Sequence, residues 1–182
     1  MINIYDNVVE DHIAQLIDAE MRNIQWKFDY PSNTRHPSRH WHVLCTENSS
    51  LDKKYTIENE FDWVMPIWTS AMLKYDFRNT YNVDTFKRIY MNAHTHGIEP
   101  VMHKDDGDFT MIYYPRMDWK PKWGGGTLSD GQLVPYVGNR LVIFDAYLEH
   151  MAMPVPRECY ELRSVIVFKC NRRAQSMIMP YV

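Results

Sequence analysis

The sequence predicts an α+β fold in which early amphipathic helices brace a β core built as a closed or double sheet. Three observations carry this prediction. Before about residue 80 the apolar residues recur mostly at three- and four-residue intervals; the remaining hundred or so read as consecutive short strands; and Gly, Asp and Asn turn signals punctuate those strands. With 182 residues and 45% hydrophobic composition, the chain suits one domain with one well-buried core. We expect residues 1–182 to form it, with 1–80 as a helical support region and 85–170 as the β core.

From Asn7 to about Gln25, Val8, Val9, Ile13, Leu16, Ile17 and Met21 follow a helical period, with Asp6 or Asn7 as N-cap. Trp26 to Tyr30 alternates as a strand would, and Pro31-Ser32-Asn33 breaks it. The stretch RHPSRHWHVLC, Arg35 to Cys45, starts as loop and ends as strand. A second helix is expected from about Ile57 to Asp76, where Pro66 either kinks it or marks its start. Strands then follow at Thr85 to Ala93, Val101 to Lys104, Asp108 to Tyr114, Gly126 to Leu128, Gln132 to Tyr136, Arg140 to Phe144, Met151 to Val155 and Leu162 to Cys170. Their separators are Gly97, Asp106-Gly107, Gly124-Gly125-Gly126, Asp130-Gly131, Gly138-Asn139 and Pro154 to Pro156.

Composition narrows the function classes. A net charge of −3 with both signs mixed provides no global basic field, so no nucleic-acid partner is expected without a local patch. The N-terminal MINIYDNVVEDHIAQL has neither a basic start nor an uninterrupted apolar run, and nothing approaches a membrane span. Cys45, Cys159 and Cys170 are too scattered for a disulfide framework, which reads as reduced thiols in a cytoplasmic protein. The 6 Trp, 12 Tyr and 12 Met read first as core volume.

Chemistry concentrates downstream. Two residues apart on a strand, His103 and Asp105 point to one face and could bind one ion if Lys104 turns outward. His150, after the apolar run Leu141-Val142-Ile143-Phe144, is the proposed third ligand. Two histidines and a carboxylate on one face leave open positions, which suits non-haem Fe(II) and O2 chemistry. Arg163 begins the apolar strand Leu162-Arg163-Ser164-Val165-Ile166-Val167-Phe168, and a buried guanidinium needs an anion matched to its planar fork.

Together these residues give a resemblance to the Fe(II)- and 2-oxoglutarate-dependent oxygenases, in the prolyl-4-hydroxylase-like branch. It spans Lys87 to Lys169 and rests on the ordered set Arg88-Ile89-Tyr90, His103-x-Asp105, Thr110-x-x-Tyr113-Tyr114, Trp123-Gly124-Gly125-Gly126, Gly138 to Phe144, His150 and Arg163-Ser164. The resemblance implies a double-stranded β-helix (jelly-roll) braced by the N-terminal helices. It also implies Fe(II) held by His103, Asp105 and His150, with 2-oxoglutarate as cosubstrate beside O2. Arg163 would bind the distal carboxylate, and Tyr90 and Tyr114 match positions whose hydroxyls reach the cosubstrate. The implied reaction is hydroxylation of a C–H bond, foremost a prolyl residue in a peptide or protein, with succinate and CO2 as coproducts. Two departures stand out: Gly126 occupies a turn position where an acidic residue is common, and 13 residues separate His150 from Arg163. Arg157, at an interval of 7, competes for the carboxylate role from a Pro-rich turn.

His94-Thr95-His96 and the set His36, His40 and His42 also have ligand-like spacing but read as solvated loops, and His12 as a helix-surface residue. One alternative function is a cupin-like metal isomerase or lyase, which would call for a His-x-His pair and leave Arg163 without a role. Another is a single-stranded nucleic-acid-binding module stacking bases on Tyr113, Tyr114, Trp119 and Trp123. A nucleic-acid demethylase of the same family usually carries a second arginine six residues beyond the first, and here Lys169 stands there. A free amino acid or other small molecule stays open as substrate.

Overall fold

The computed structural model describes residues 1–31, 38–48 and 55–173. Ser32, Asn33 and His36, expected in a loop, lie outside the described residues. The fold mixes helices with antiparallel sheets. Strands β1 (Ile2–Tyr5), β2 (Lys27–Tyr30), β3 (His40–Leu44), β6 (Phe86–His94), β7 (Phe109–Tyr114), β10 (Arg140–Asp145) and β12 (Arg163–Cys170) form a seven-stranded sheet in the order β1-β10-β7-β12-β6-β3-β2. A three-stranded sheet has the order β11-β8-β9, built from β8 (Thr127–Ser129), β9 (Gln132–Val134) and β11 (His150–Ala152). Strands β4 (Thr46–Asn48) and β5 (Tyr55–Ile57) pair antiparallel as a separate two-stranded sheet beside β6.

The seven-stranded sheet separates two apolar clusters. Successive strand side chains alternate faces, so Ile166 and Phe168 of β12 join Met111, Ile143, Ile17, Ile67, Trp68 and Phe77 on the helix side. Val165 and Val167 turn the other way, toward Ile112, Val142, Phe144 and Val134. Every residue of β7 and β12 is buried, which explains why these strands read as continuous apolar runs without alternation. Complete burial of each aliphatic or aromatic side chain stabilises by about 1.5–3 kcal/mol.

Helix α1 (Asp11–Asn23) buries Ala14, Ile17, Asp18 and Met21. It begins four residues later than the periodicity suggests. Asn7 takes φ +52, and the side chain of Asn139 accepts from Val9 N at 3.0 Å and donates to Val9 O at 2.8 Å. The buried Val8 and Val9 are therefore pinned as loop, and Glu10 takes the N-cap position in place of Asp6 or Asn7. At its other end α1 is tied down by Asp18, which lies 3.0 Å from the buried Arg116.

Expected second-helix residues divide at Pro66. A 3-10 turn covers Asn59–Val64 and α2 runs Met65–Lys74, with the proline in the first turn where its missing N–H costs nothing. A short α3 follows at Phe77–Thr80. The first eighty residues thus supply strands as well as helices, including β1, β2 and β3 of the main sheet. Val101 to Lys104 is not a strand; only His103 makes an isolated bridge, to His150. Among the described residues, no helix is long and apolar enough to cross a membrane.

Candidate active site

A cavity of about 80 Å³ opens between the two sheets, walled by Ile112, Val165 and Val167 from the larger sheet and by Thr127, His150 and Ala152 from the smaller. At one end it meets His103, Asp105 and His150, whose potential ligand atoms lie within 4.8 Å of one another. Backbone pairing brings them together: His103 N donates to His150 O at 3.0 Å, His150 N returns to His103 O at 2.9 Å, and Asp105 N donates to Ala146 O at 2.9 Å.

Each histidine is aimed by its own chain. His103 Nδ1 lies 2.8 Å from Val101 O and His150 Nδ1 lies 2.9 Å from Leu148 O. A carbonyl can only accept, so each Nδ1 carries the proton and each Nε2 presents a lone pair. Those Nε2 atoms approach the Asp105 carboxylate at 3.7 Å and 3.1 Å respectively. Burial, reinforced by the neighbouring His150 and Lys169, pushes the His103 imidazole down to about 4. Burial likewise lowers His150. Both rings are neutral near pH 7, the form that binds a metal. Two imidazole nitrogens and one carboxylate oxygen suit a divalent first-row metal.

Behind the carboxylate lies a residue whose part the sequence did not disclose. Lys169, fully buried, makes an ion pair with Asp105 Oδ2, and Thr110 Oγ1 donates to the same oxygen at 2.7 Å. Burial, with Arg88 and Lys87 nearby, works against the charge of Lys169, but direct contact with the Asp105 carboxylate outweighs it and keeps the ammonium. Lys104 is exposed, and Asp106 is a rim residue paired with Lys87 at 2.7 Å and Arg88 at 2.6 Å.

At the opposite end stands Arg163, 3% exposed. Its Nε donates to Gly125 O at 2.7 Å and its Nη2 reaches Gly126 O at 3.4 Å, but no carboxylate among the described residues pairs with it. The glycine turn leaves room for this contact. Gly125 takes φ +72 and an added Cβ would meet Arg163 and Trp119 at 3.1 Å; at Gly126 it would strike Val134 O at 2.3 Å. The acidic side chain common at that turn therefore has no room here. The competitor Arg157 is exposed in its turn, away from the cavity wall.

Tyr90 lines the cavity and burial raises its phenol. Tyr114 is buried beside Arg163, its ring centroid 6.0 Å from the guanidinium, but its hydroxyl donates to Thr127 Oγ1 at 2.7 Å. Thr127 faces the cavity in its stead. The histidines read as loop residues need correction. His40 and His42 sit on β3 and His94 ends β6, with His40 and His94 buried, whereas His96 and His12 are exposed. Burial pushes His40 to about 4 and His94 to about 3. His42 Nδ1 lies 2.7 Å from Asn92 Oδ1, and His40 Nε2 is buried with no hydrogen-bond partner among the described residues. The alternation His40-x-His42 on one strand face was the available signal; the preceding Pro and Ser obscured it. A larger groove of about 920 Å³ between the end of α1 and β2–β3 holds none of the donor residues.

No family model and no curated protein matches the chain. Solved structures do match it. A Pseudomonas putida prolyl-4-hydroxylase is 15% identical with a TM-score of 0.64, over 94% of this chain and 92% of that one. An oxidoreductase of the 2OG-Fe(II) oxygenase family from Burkholderia pseudomallei is 14% identical with a TM-score of 0.68, over 95% and 89%. HygX from Streptomyces hygroscopicus, solved with nickel and 2-oxoglutarate bound, is 9% identical with a TM-score of 0.61, over 94% and 82%. The chain has the fold these proteins share, including that of the branch its motifs resemble.

Proposed function

We propose that the chain is an Fe(II)- and 2-oxoglutarate-dependent dioxygenase that hydroxylates a prolyl residue in a peptide or protein. The observation that carries this reading is a single cavity with three N, N, O donor atoms at one end and an unpaired buried guanidinium at the other. A metal chelated by a 2-oxo acid at the first end, with the distal carboxylate on Arg163 at the second, uses both features at once. Neither of the alternatives does: a cupin-like isomerase leaves Arg163 idle, and a base-stacking module has no use for the donor triad. In this reading the two sheets are the walls of a double-stranded β-helix, residues 1–182 are one oxygenase domain, and the three free buried cysteines agree with a reducing cytoplasm.

His103, Asp105 and His150 would hold Fe(II), and Arg163 would grip the cosubstrate in a two-point contact. Bound Fe(II) with 2-oxoglutarate would supply O2 activation: one oxygen atom enters the substrate C–H bond and the other enters succinate as CO2 leaves. The chain does the rest. Val101 and Leu148 carbonyls keep the imidazole Nε2 atoms converged. Ile112, Val165, Val167 and Phe144 keep water from the centre. His40, Asn92 and His94 line the cavity as uncharged polar groups, compatible with a neutral prolyl side chain and its flanking amides. Support for proline as substrate comes from the prolyl-hydroxylase neighbours and the motif order.

Anaerobic titration with Fe(II) and 2-oxoglutarate tests the cofactor reading. A weak visible charge-transfer band is expected, absent in Asp105→Ala and needing more 2-oxoglutarate in Arg163→Met. Absence of the band at confirmed iron occupancy would sink it. Proline-containing peptides should then raise succinate release and gain one oxygen by mass, while matched alanine peptides should not.

A further inference from the structure

On the inner face of β12, Arg163 and Lys169 are both buried, and Asp105 is the single carboxylate paired with either among the described residues. The region therefore carries a positive excess before any ligand arrives. A divalent cation entering alone enlarges that excess, and a dicarboxylate arriving with it removes most of it.

Lys169 is also placed to govern how Asp105 ligates. Its ammonium and the Thr110 hydroxyl both occupy Oδ2, the oxygen that also lies 3.1 Å from His150 Nε2, leaving Oδ1, 3.7 Å from His103 Nε2, as the oxygen with spare lone pairs. Lys169 cannot move away cheaply, because β12 lies between β6 and β7 and its side chain is fully enclosed. Resting on the oxygenase reading, we propose that Lys169 is a positioning residue that makes metal binding depend on the anionic cosubstrate: it withholds one Asp105 oxygen from the metal and opposes a metal that arrives without its dicarboxylate.

The test measures Mn(II) affinity by calorimetry, with and without 2-oxoglutarate, in the wild type, Lys169→Met, Lys169→Gln and Thr110→Val. Methionine conserves volume and glutamine retains a donor, so each guards against misfolding of the other. In the wild type, 2-oxoglutarate should tighten Mn(II) binding. In both Lys169 variants bare Mn(II) should bind at least about tenfold more tightly, with the gain from 2-oxoglutarate reduced by a similar factor. Thr110→Val, which keeps the ammonium, should retain the wild-type gain. An unchanged gain in the Lys169 variants overturns the inference while leaving the oxygenase reading intact, as does a loss in Thr110→Val as large as in Lys169→Met. A wild type that binds no Mn(II) under either condition overturns both.

Discussion

The two ends of β12's inner face carry one buried cation each, and they are treated in opposite ways. Lys169 meets a carboxylate, Asp105, inside the protein; among the described residues Arg163 meets the carbonyls of Gly125 and Gly126 and the rings of Tyr114 and Tyr136, but no carboxylate. Burying a charge is costly unless it is paired, so a guanidinium at 3% exposure with no carboxylate partner among the described residues fits the proposed role of receiving an anion from outside. In the proposed reading the paired end tunes a ligand set and the unpaired end accepts an anion. Burial alone does not distinguish these roles; the identity of the partner does.

The largest expected effect comes from breaking the paired end. Asp105→Ala removes the only carboxylate of the donor set and leaves Lys169 buried without its counter-ion. Mn(II) affinity should fall by more than about a hundredfold, beyond the loss from disturbing a ligand's hydrogen bonds, as calorimetry can read. Breaking the unpaired end should spare the metal. Arg163→Met is expected to weaken 2-oxoglutarate binding by about 2–5 kcal/mol, with Mn(II) affinity in its absence not weakened and raised by less than in the Lys169 variants because Lys169, not Arg163, touches Asp105, and Arg163→Lys to recover only part because an ammonium lacks the planar fork.

Moving the glycine carbonyls sharpens the same contrast. Gly126→Ala forces a Cβ against Val134 O and should cost about 1–3 kcal/mol in urea denaturation, with 2-oxoglutarate affinity falling and metal affinity unaffected. The neutral histidines between the two ends predict the acid response. His40 and His94 titrate near 4 and 3 in the folded protein against 6.5 when unfolded, so the unfolded chain binds more protons in between. Stability should be full above pH 6.5 and fall as pH drops toward 4, with a shallower slope in His40→Asn. The smallest effect is expected from Arg157→Ala, whose exposed side chain should leave 2-oxoglutarate affinity within about 0.5 kcal/mol of wild type.

Strand periodicity was the most legible part of the chain. Apolar runs such as Leu141 to Phe144 have few options other than a strand buried on both sides, and turn glycines bounded them closely. Local reading failed where a distant residue intervened. Asn139 holds Val9 from 130 positions away and delays α1, and β1 found its place only by pairing with β10. The convergence of His103, Asp105 and His150 and the burial of Arg163 could be anticipated because the order of motifs along the chain survives folding. For Lys169 and His40 a local signal existed, the apolar run to Cys170 and the His40-x-His42 alternation, but nothing nearby says which distant residue each one meets.

By itself the sequence determined which segments become strands, that N, N and O donors are available in order, and that an arginine interrupts an apolar run. These follow from periodicity and residue chemistry, which are properties of short stretches. Only the tertiary structure decided which charges meet. Pairing depends on distances of a few ångströms between residues far apart in the chain, and strand register sets those distances: Lys169 sits opposite Thr110 and beside Asp105, while Arg163 sits opposite His94 and beside two glycines.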